Sequence, residues 1–211
     1  MKLIIFGATG RTGIHVVEQA LATGHDVVAF IRNPAKLNLS HERLRVVQGE
    51  LTDAAAVEDV VRGADAVLAT LTPNLARGAK DMPVAEGTRN IVAAMRAHGV
   101  RRLVFSWGPS ILIPRSPLAR ALSRAIYAVL RFGTESTEVG ETIRGSDLDW
   151  TTVVVTMPHD KPGSGRVKVR SATTGAGDRV RLRISRADLA KFMLAQADDL
   201  RYARQELKIS N

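Results

Sequence analysis

Short aliphatic runs alternate along this chain with longer stretches in which apolar residues recur every three or four positions. Lys2–Phe6 is aliphatic at successive positions and ends in a glycine-rich turn, the pattern of a strand buried on both faces. Residues 11–22 then place Ile14, Val17 and Leu21 on one stripe, which predicts a helix that Gly24 terminates. Asp26–Ile31 and 44–47 read as the second and third strands. A helix is predicted over 53–62, with Val57, Val60 and Val61 on its apolar side, and a fourth strand over 65–71. The clearest helix runs over 84–98, carries Ile91, Val92 and Met95, and is closed by Gly99. A strand at 102–106, a helix at 135–144 and a strand at 150–155 extend the series.

Strands alternating with helices of this length predict an α/β fold. The expected architecture is a single Rossmann-like, doubly wound parallel sheet with helices on both faces, one domain over 1–211. The stretch 108–133 is less regular: Pro109, Pro114 and Pro117 make its first half loop-like, and a helix is predicted over 118–130. After Pro158, residues 166–170 and 179–183 alternate Arg and Lys with aliphatic side chains, which predicts a hairpin with one charged face. A helix at 187–197 and a short terminal strand complete a small C-terminal cap, expected over the carboxyl edge of the sheet.

Composition narrows the chemistry. The 211 residues contain no cysteine, which removes disulfides, thiolate metal sites and cysteine nucleophiles together. His15, His25, His41 and His98 show no ligand spacing, so no metal site is expected. Met1-Lys2 leads directly into four apolar residues, too few for a signal peptide, and no stretch approaches the length of a membrane span. The expectation is a cytoplasmic protein with no membrane contact, a monomer or a dimer. The net charge of +9 raises the question of nucleic acid, but the cations are scattered and aromatics make up only 4%. Nucleic-acid binding is therefore not expected, and the basic hairpin face is either simply solvated or attracts an anionic ligand.

The first turn carries Gly7-Ala8-Thr9-Gly10-Arg11-Thr12-Gly13 between a strand and a helix. Gly7 permits a tight exit from the strand, Gly10 a close approach of backbone to pyrophosphate, and Gly13 close packing of helix on sheet. The N–H groups of Arg11 and Thr12 and the positive helix end would hold phosphates. After the second strand an NAD site needs a carboxylate for the ribose 2′-OH. Here stand Arg32 and, four residues on, Lys36, with Arg11 in the loop itself, while Asp26 is at the wrong end of its strand. A guanidinium favours a 2′-phosphate that a carboxylate would repel, so the expected cofactor is NADP(H).

The glycine loop resembles that of the atypical short-chain dehydrogenase/reductase superfamily, in its NAD(P)-binding, NmrA-like branch. The runs Glu86-Gly87-Thr88-Arg89-Asn90-Ile91-Val92-Ala93-Ala94-Met95, Met157-Pro158-His159-Asp160 and Asp188-Leu189-Ala190-Lys191-Phe192-Met193-Leu194 are similar to its NADPH-dependent flavin reductase (biliverdin-IXβ reductase) group. The resemblance implies 2′-phosphate contacts at Arg32 and Lys36 and an adenine-lining pair at Glu50 and Leu51. It also implies cofactor contacts at Leu71 and Thr72, and a nicotinamide pocket at Met157, Pro158 and His159. Two features depart from the group. The Tyr-x-x-x-Lys pair of the wider superfamily is missing, and Tyr127-x-x-x-Arg131 falls about nine residues too early to replace it. Ser136 stands where the flavin reductases have a histidine, and only Ser106 and Ser110 flank the place of their serine near Gly108.

Hydride transfer to a flavin survives such losses, because the flavin's protons can come from water, whereas a carbonyl needs a donor in place. His159 is the candidate proton donor or a packing histidine, Ser106 a second catalytic candidate or a plain strand-end hydroxyl. Trp107 is either a platform for a flat acceptor or a hydrophobe at the rim. The leading expectation is NADPH-dependent reduction of a planar small molecule: FMN or riboflavin, then a quinone or a linear tetrapyrrole such as biliverdin. The alternative is a non-catalytic NADP(H)-binding redox sensor of the NmrA-like type.

Overall fold

The computed structural model describes residues 1–71, 83–107, 132–155, 157–171 and 183–211, with the backbone alone at 132–134, 136 and 157. The expected helix 118–130 and the segment 179–182 lie outside the described residues. β1 (Lys2–Phe6) buries Leu3 and Ile5 in one core and Ile4 and Phe6 in another. A strand apolar at every position needs a cover on both sides, and both covers are present. β2 (Asp26–Ile31), β3 (Leu44–Gln48), β4 (Ala66–Ala69), β5 (Arg102–Trp107) and β6 (Asp149–Val154) join it in parallel. One face is covered by α1 (Gly13–Ala22) and α5 (Arg186–Ala195). The other is covered by α2 (Ala54–Val61), α3 (Val84–Ala97) and α4 (Phe132–Arg144). Among the described residues no helix is long and apolar enough to cross a membrane.

With β7 (Met157–His159), β8 (Lys168–Ser171), β9 (Arg183–Ser185) and β10 (Gln205–Ser210), the main sheet runs β3-β2-β1-β4-β5-β6-β10-β8, and β7 and β9 form a separate parallel pair. The order reverses between β1 and β4, a topological switch point, and Phe6 stands level with Phe30 and Ala69 at its carboxyl edge.

The C-terminal third departs from expectation. The described ends of the two basic segments are not paired with each other. Lys168–Ser171 runs antiparallel to β10, and Arg183–Ser185 runs parallel to β7. Alternation correctly exposes Lys168 and Arg170 but carries no information about the partner strand. β10 and β8 thus widen the main sheet, α5 covers its face beside α1, and β7 and β9 form the small second sheet.

Helix boundaries shift for local reasons. α2 begins one residue after Asp53, whose carboxylate caps it by accepting from Ala56 N–H at 3.0 Å. α1 begins at Gly13 and not at 11, because Gly10 N–H closes a turn on Gly7 C=O at 2.9 Å.

Two buried charged side chains secure the C-terminal elements. Arg102 lies at the amino edge, 5% exposed, and donates to the Gln196, Asp149 and Asp199 carbonyls and to Thr151 Oγ1. Burial lowers its pKa, against the opposing charges of Asp149 and Asp199. In the first turn of α5, Asp188 accepts from Ser164 N–H (2.7 Å), Gly165 N–H (3.0 Å) and Asn211 Nδ2 (2.6 Å). Desolvation opposes its ionisation, but these donors, with Ser185, hold its carboxyl below the usual range.

A carboxyl whose pKa is depressed on folding stabilises above its unfolded value and loses that contribution as pH falls towards the folded one. Asp188→Asn should therefore cost roughly 2 kcal/mol near neutrality. In chemical denaturation from pH 7 down to about pH 3, the difference from wild type should shrink.

Candidate functional site

The glycine turn is shaped by contacts that exclude side chains. Gly7 has φ +78°, and a Cβ there would lie 2.5 Å from Thr70 C=O. A Cβ on Gly13 would overlap the Gly7 carbonyl, so α1 rests directly on the turn backbone. Thr70 follows β4, and its hydroxyl donates to Gly7 C=O at 3.1 Å. The first turn of α1 contains no acidic residue, and Thr12 precedes it without a side-chain cap. No backbone acceptor for the N–H groups of Arg11, Thr12 and Gly13 is present among the described residues. A cradle of free N–H groups at a positive helix end fits a pyrophosphate.

Along the same carboxyl edge, Arg32 follows β2 and is exposed, its carbonyl accepting from Gln48 Nε2 at 3.2 Å. Asn33 caps a short 3₁₀ turn, Pro34–Lys36, by accepting from Ala35 N–H at 3.0 Å. Lys36, the last residue of that turn, is exposed. Glu50 and Leu51 follow β3. Glu50 is exposed, whereas Leu51 is half-buried and accepts from Asn90 Nδ2 at 2.8 Å. A Cβ on Gly87 would lie 2.6 Å from Leu51 Cβ, so α3 fixes the position of this side chain. Leu71 is buried beyond β4. Thr72, like Ser110 and the Tyr127/Arg131 pair, lies outside the described residues.

The expected hydride-acceptor end is divided between the two faces of β5. Phe105 and Trp107 alternate onto the α2–α4 side, Val104 and Ser106 onto the α1/α5 side. Ser106 is 7% exposed and paired in register with Val153. His159 ends β7, opposite Ser185 of β9, after Met157 and Pro158 in the same short strand. Two ring nitrogens are buried with no partner among the described residues: Trp107 Nε1 and His159 Nδ1.

Several side chains important here have contacts that no motif reveals. Asp160, next to His159, accepts from Arg186 at 2.5 Å and also pairs with Arg11 of the glycine turn. Desolvation opposes ionisation of Asp160, and Arg186 first, then Arg11, holds its pKa below the ordinary range. The Arg11 guanidinium is thereby drawn towards β7, leaving Arg32 and Lys36 as the cations beyond β2. Glu135, from α4, accepts from Val84 and Ala85 N–H at 3.0 and 3.2 Å. Only Asp160 had a sequence signal, its place directly after the Pro-His pair.

Residues 7–200 match the model of a family described as NAD(P)H-binding. A 2-alkyl-3-oxoalkanoate reductase from Stenotrophomonas maltophilia (strain K279a) is 31% identical over 144 residues, 67% of this chain. The chain spans only 40% of that relative's length. Among solved structures, ChuY, an anaerobillin reductase from Escherichia coli O157:H7, superposes with a TM-score of 0.75 at 19% identity, covering 98% of this chain and 96% of ChuY. A short-chain dehydrogenase/reductase from Veillonella parvula DSM 2008 in complex with NADP gives a TM-score of 0.75 at 18% identity, over 100% and 94% of the two chains. At these identities the structural likeness establishes the Rossmann-like fold, and the family match extends from the glycine turn to beyond α5. The chain belongs to the NAD(P)H-binding family.

Proposed function

We propose that this chain is an NADPH-dependent reductase that passes hydride to a planar acceptor, with flavin first, then a quinone or a linear tetrapyrrole. The observation that carries this reading is the pair of buried ring nitrogens, Trp107 Nε1 and His159 Nδ1, that have no partner among the described residues. A buried polar atom without a partner costs stability, and a bound ligand is one way in which such an atom is completed. Both lie at the carboxyl edge, beyond the strands where open α/β sheets bind ligands. The relatives named as reductases support the same reaction class.

When bound, the dinucleotide supplies the hydride from C4 of its nicotinamide. The chain's own work is positioning. The Arg11, Thr12 and Gly13 N–H groups hold the pyrophosphate, and Arg32 and Lys36 hold the 2′-phosphate. Leu51, fixed by Asn90 and Gly87, walls the adenine. Trp107 offers an N–H donor to the acceptor's polar edge, and His159 holds or relays a proton. Ser106, on the opposite face of β5, orients the cofactor side.

A second reading, a redox sensor, is favoured by one sequence observation: the chain has only two tyrosines and neither begins a Tyr-x-x-x-Lys pair. Steady-state NADPH oxidation with FMN, riboflavin, a quinone and biliverdin separates the two. Turnover on none of them, with similar affinities for NADP⁺ and NADPH, would sink the reductase and leave the sensor.

Arg32→Asp should weaken NADPH binding by about 10- to 100-fold while leaving NADH nearly unchanged, since a charge-assisted phosphate contact contributes about 1.5–3 kcal/mol. Equal losses for both, measured by calorimetric titration, would refute the NADP assignment. Trp107→Phe keeps the ring and removes the N–H, so the KM of the acceptor should rise by about tenfold with kcat less affected. His159→Ala should lower kcat by at least about tenfold without changing NADPH affinity.

A further inference from the structure

Glu135 sits at the carboxyl edge for a structural reason and carries an oxygen that this reason does not use. α3 starts after Pro83, a residue with no side-chain acceptor, so its first N–H groups need a cap from elsewhere. Glu135 Oε1 supplies it across the helix pair, accepting from Val84 and Ala85. The residue is 7% exposed, and its second oxygen, Oε2, is buried with no partner among the described residues. Glu135 also lies one turn before Val139, on the same side of α4. Val139, Val84 and Ala85 belong to the cluster against which Trp107 packs. The unused carboxyl oxygen and the unused indole N–H thus share one face and one end of the sheet.

We propose that Glu135 is the acid of this site: Oε2 carries the proton that joins the acceptor as the hydride arrives. The inference rests on the reductase reading above. In the step, the C4–H bond of NADPH breaks and its electron pair and hydrogen join the electrophilic atom of the acceptor. The Oε2–H bond breaks and its proton joins an acceptor oxygen or nitrogen. The nicotinamide is oxidised by two electrons, the acceptor is reduced by two, and water reprotonates the carboxylate.

Burial is the largest influence on this carboxyl. Burial pushes the Glu135 carboxyl up, the bonds from Ala85 and Val84 oppose this in part, and the nearby Glu138 raises it further. The other charged groups of the two packed helices are Glu86, Arg89 and Arg96 on α3 and Glu141 and Arg144 on α4; Arg89 pairs with Glu138 at 3.3 Å, Arg96 with Asp147 at 3.1 Å and Arg144 with Glu206 at 3.2 Å. The acid form is present below the folded pKa and lost as pH rises through it.

Glu135→Gln retains the carbonyl that caps α3 and removes the transferable proton. With an acceptor that the wild type reduces, kcat should fall on the order of 100-fold in the variant. The thermal midpoint and NADPH affinity should be unchanged, and the alkaline decline of the wild-type kcat should be absent. Independently of turnover, the infrared difference spectrum between wild type and variant should show a protonated carboxyl band that shifts when acceptor binds without NADPH. Equal kcat in the two proteins, or a wild-type kcat flat across the range in which Glu135 titrates, would overturn the proposal while leaving the reductase intact. A wild type inactive on every acceptor would remove both readings. If the variant fails to fold, the wild-type pH profile and the wild-type infrared difference between acceptor-bound and free protein decide alone.

Discussion

The Gly7 carbonyl and the Gly13 Cα meet with no room for a methyl group between them, and most of this molecule is arranged around that contact. β1 has to leave the sheet and enter α1 within a few residues for backbone to lie on backbone. The strand is then flanked by β2 on one side and β4 on the other, and the crossovers leave in opposite directions. A crevice at the carboxyl edge follows from this topology, and the free N–H groups of the turn face it. Thr70 reinforces the arrangement from β4, because its hydroxyl closes on the carbonyl that Gly7 turns outward. Without the glycine contact the helix would stand off the sheet, and Val16, Val17 and Ala20 would lose the core that Leu3 and Ile5 share with them.

Charge is distributed by role in ways that the total of +9 conceals. Arg102 and Arg186 are almost fully buried, while Arg32 and Lys36 are exposed beside the crevice. Arg11 is intermediate: it belongs to the phosphate loop by sequence and to Asp160 by contact. The same carboxylate secures Arg186 at the start of α5, so the glycine turn, the strand that ends at His159 and the last helix meet at one group.

The first half of the fold was legible because each element there declares itself locally. The stripe of Val57, Val60 and Val61, the cap at Asp53 and the glycines after α1 and α3 act within a few residues of their own position. The β8 and β9 segments were not legible in the same way. Their alternation reveals a charged face but leaves the partner strand open, and the partners lie near the C-terminus and beside His159. In the site, the glycine turn and the Arg32 and Lys36 positions are motif features, visible in one dimension. Glu135 is an ordinary surface acid in the sequence, and Asp160 and Asp188 stand in runs that mark a resemblance but not their contacts. Glu135 and Asp188 differ from the other acids because a second element folds over them, and Asp160, which stays exposed, because two arginines close on it; neither leaves a periodic trace.

Arg102 illustrates what such placement demands of a residue type. Its guanidinium fans out to carbonyls from two separate chain segments and to a threonine hydroxyl, acting as a molded internal solvent where several buried waters would otherwise be needed. An ammonium group has the charge but neither the planar spread nor the number of fixed donors. A change to lysine, conservative by any substitution matrix, would leave stranded acceptors at the amino edge of the sheet. The constraint on this position is as local and as strict as that on the glycine turn, although it lies at the opposite edge of the sheet.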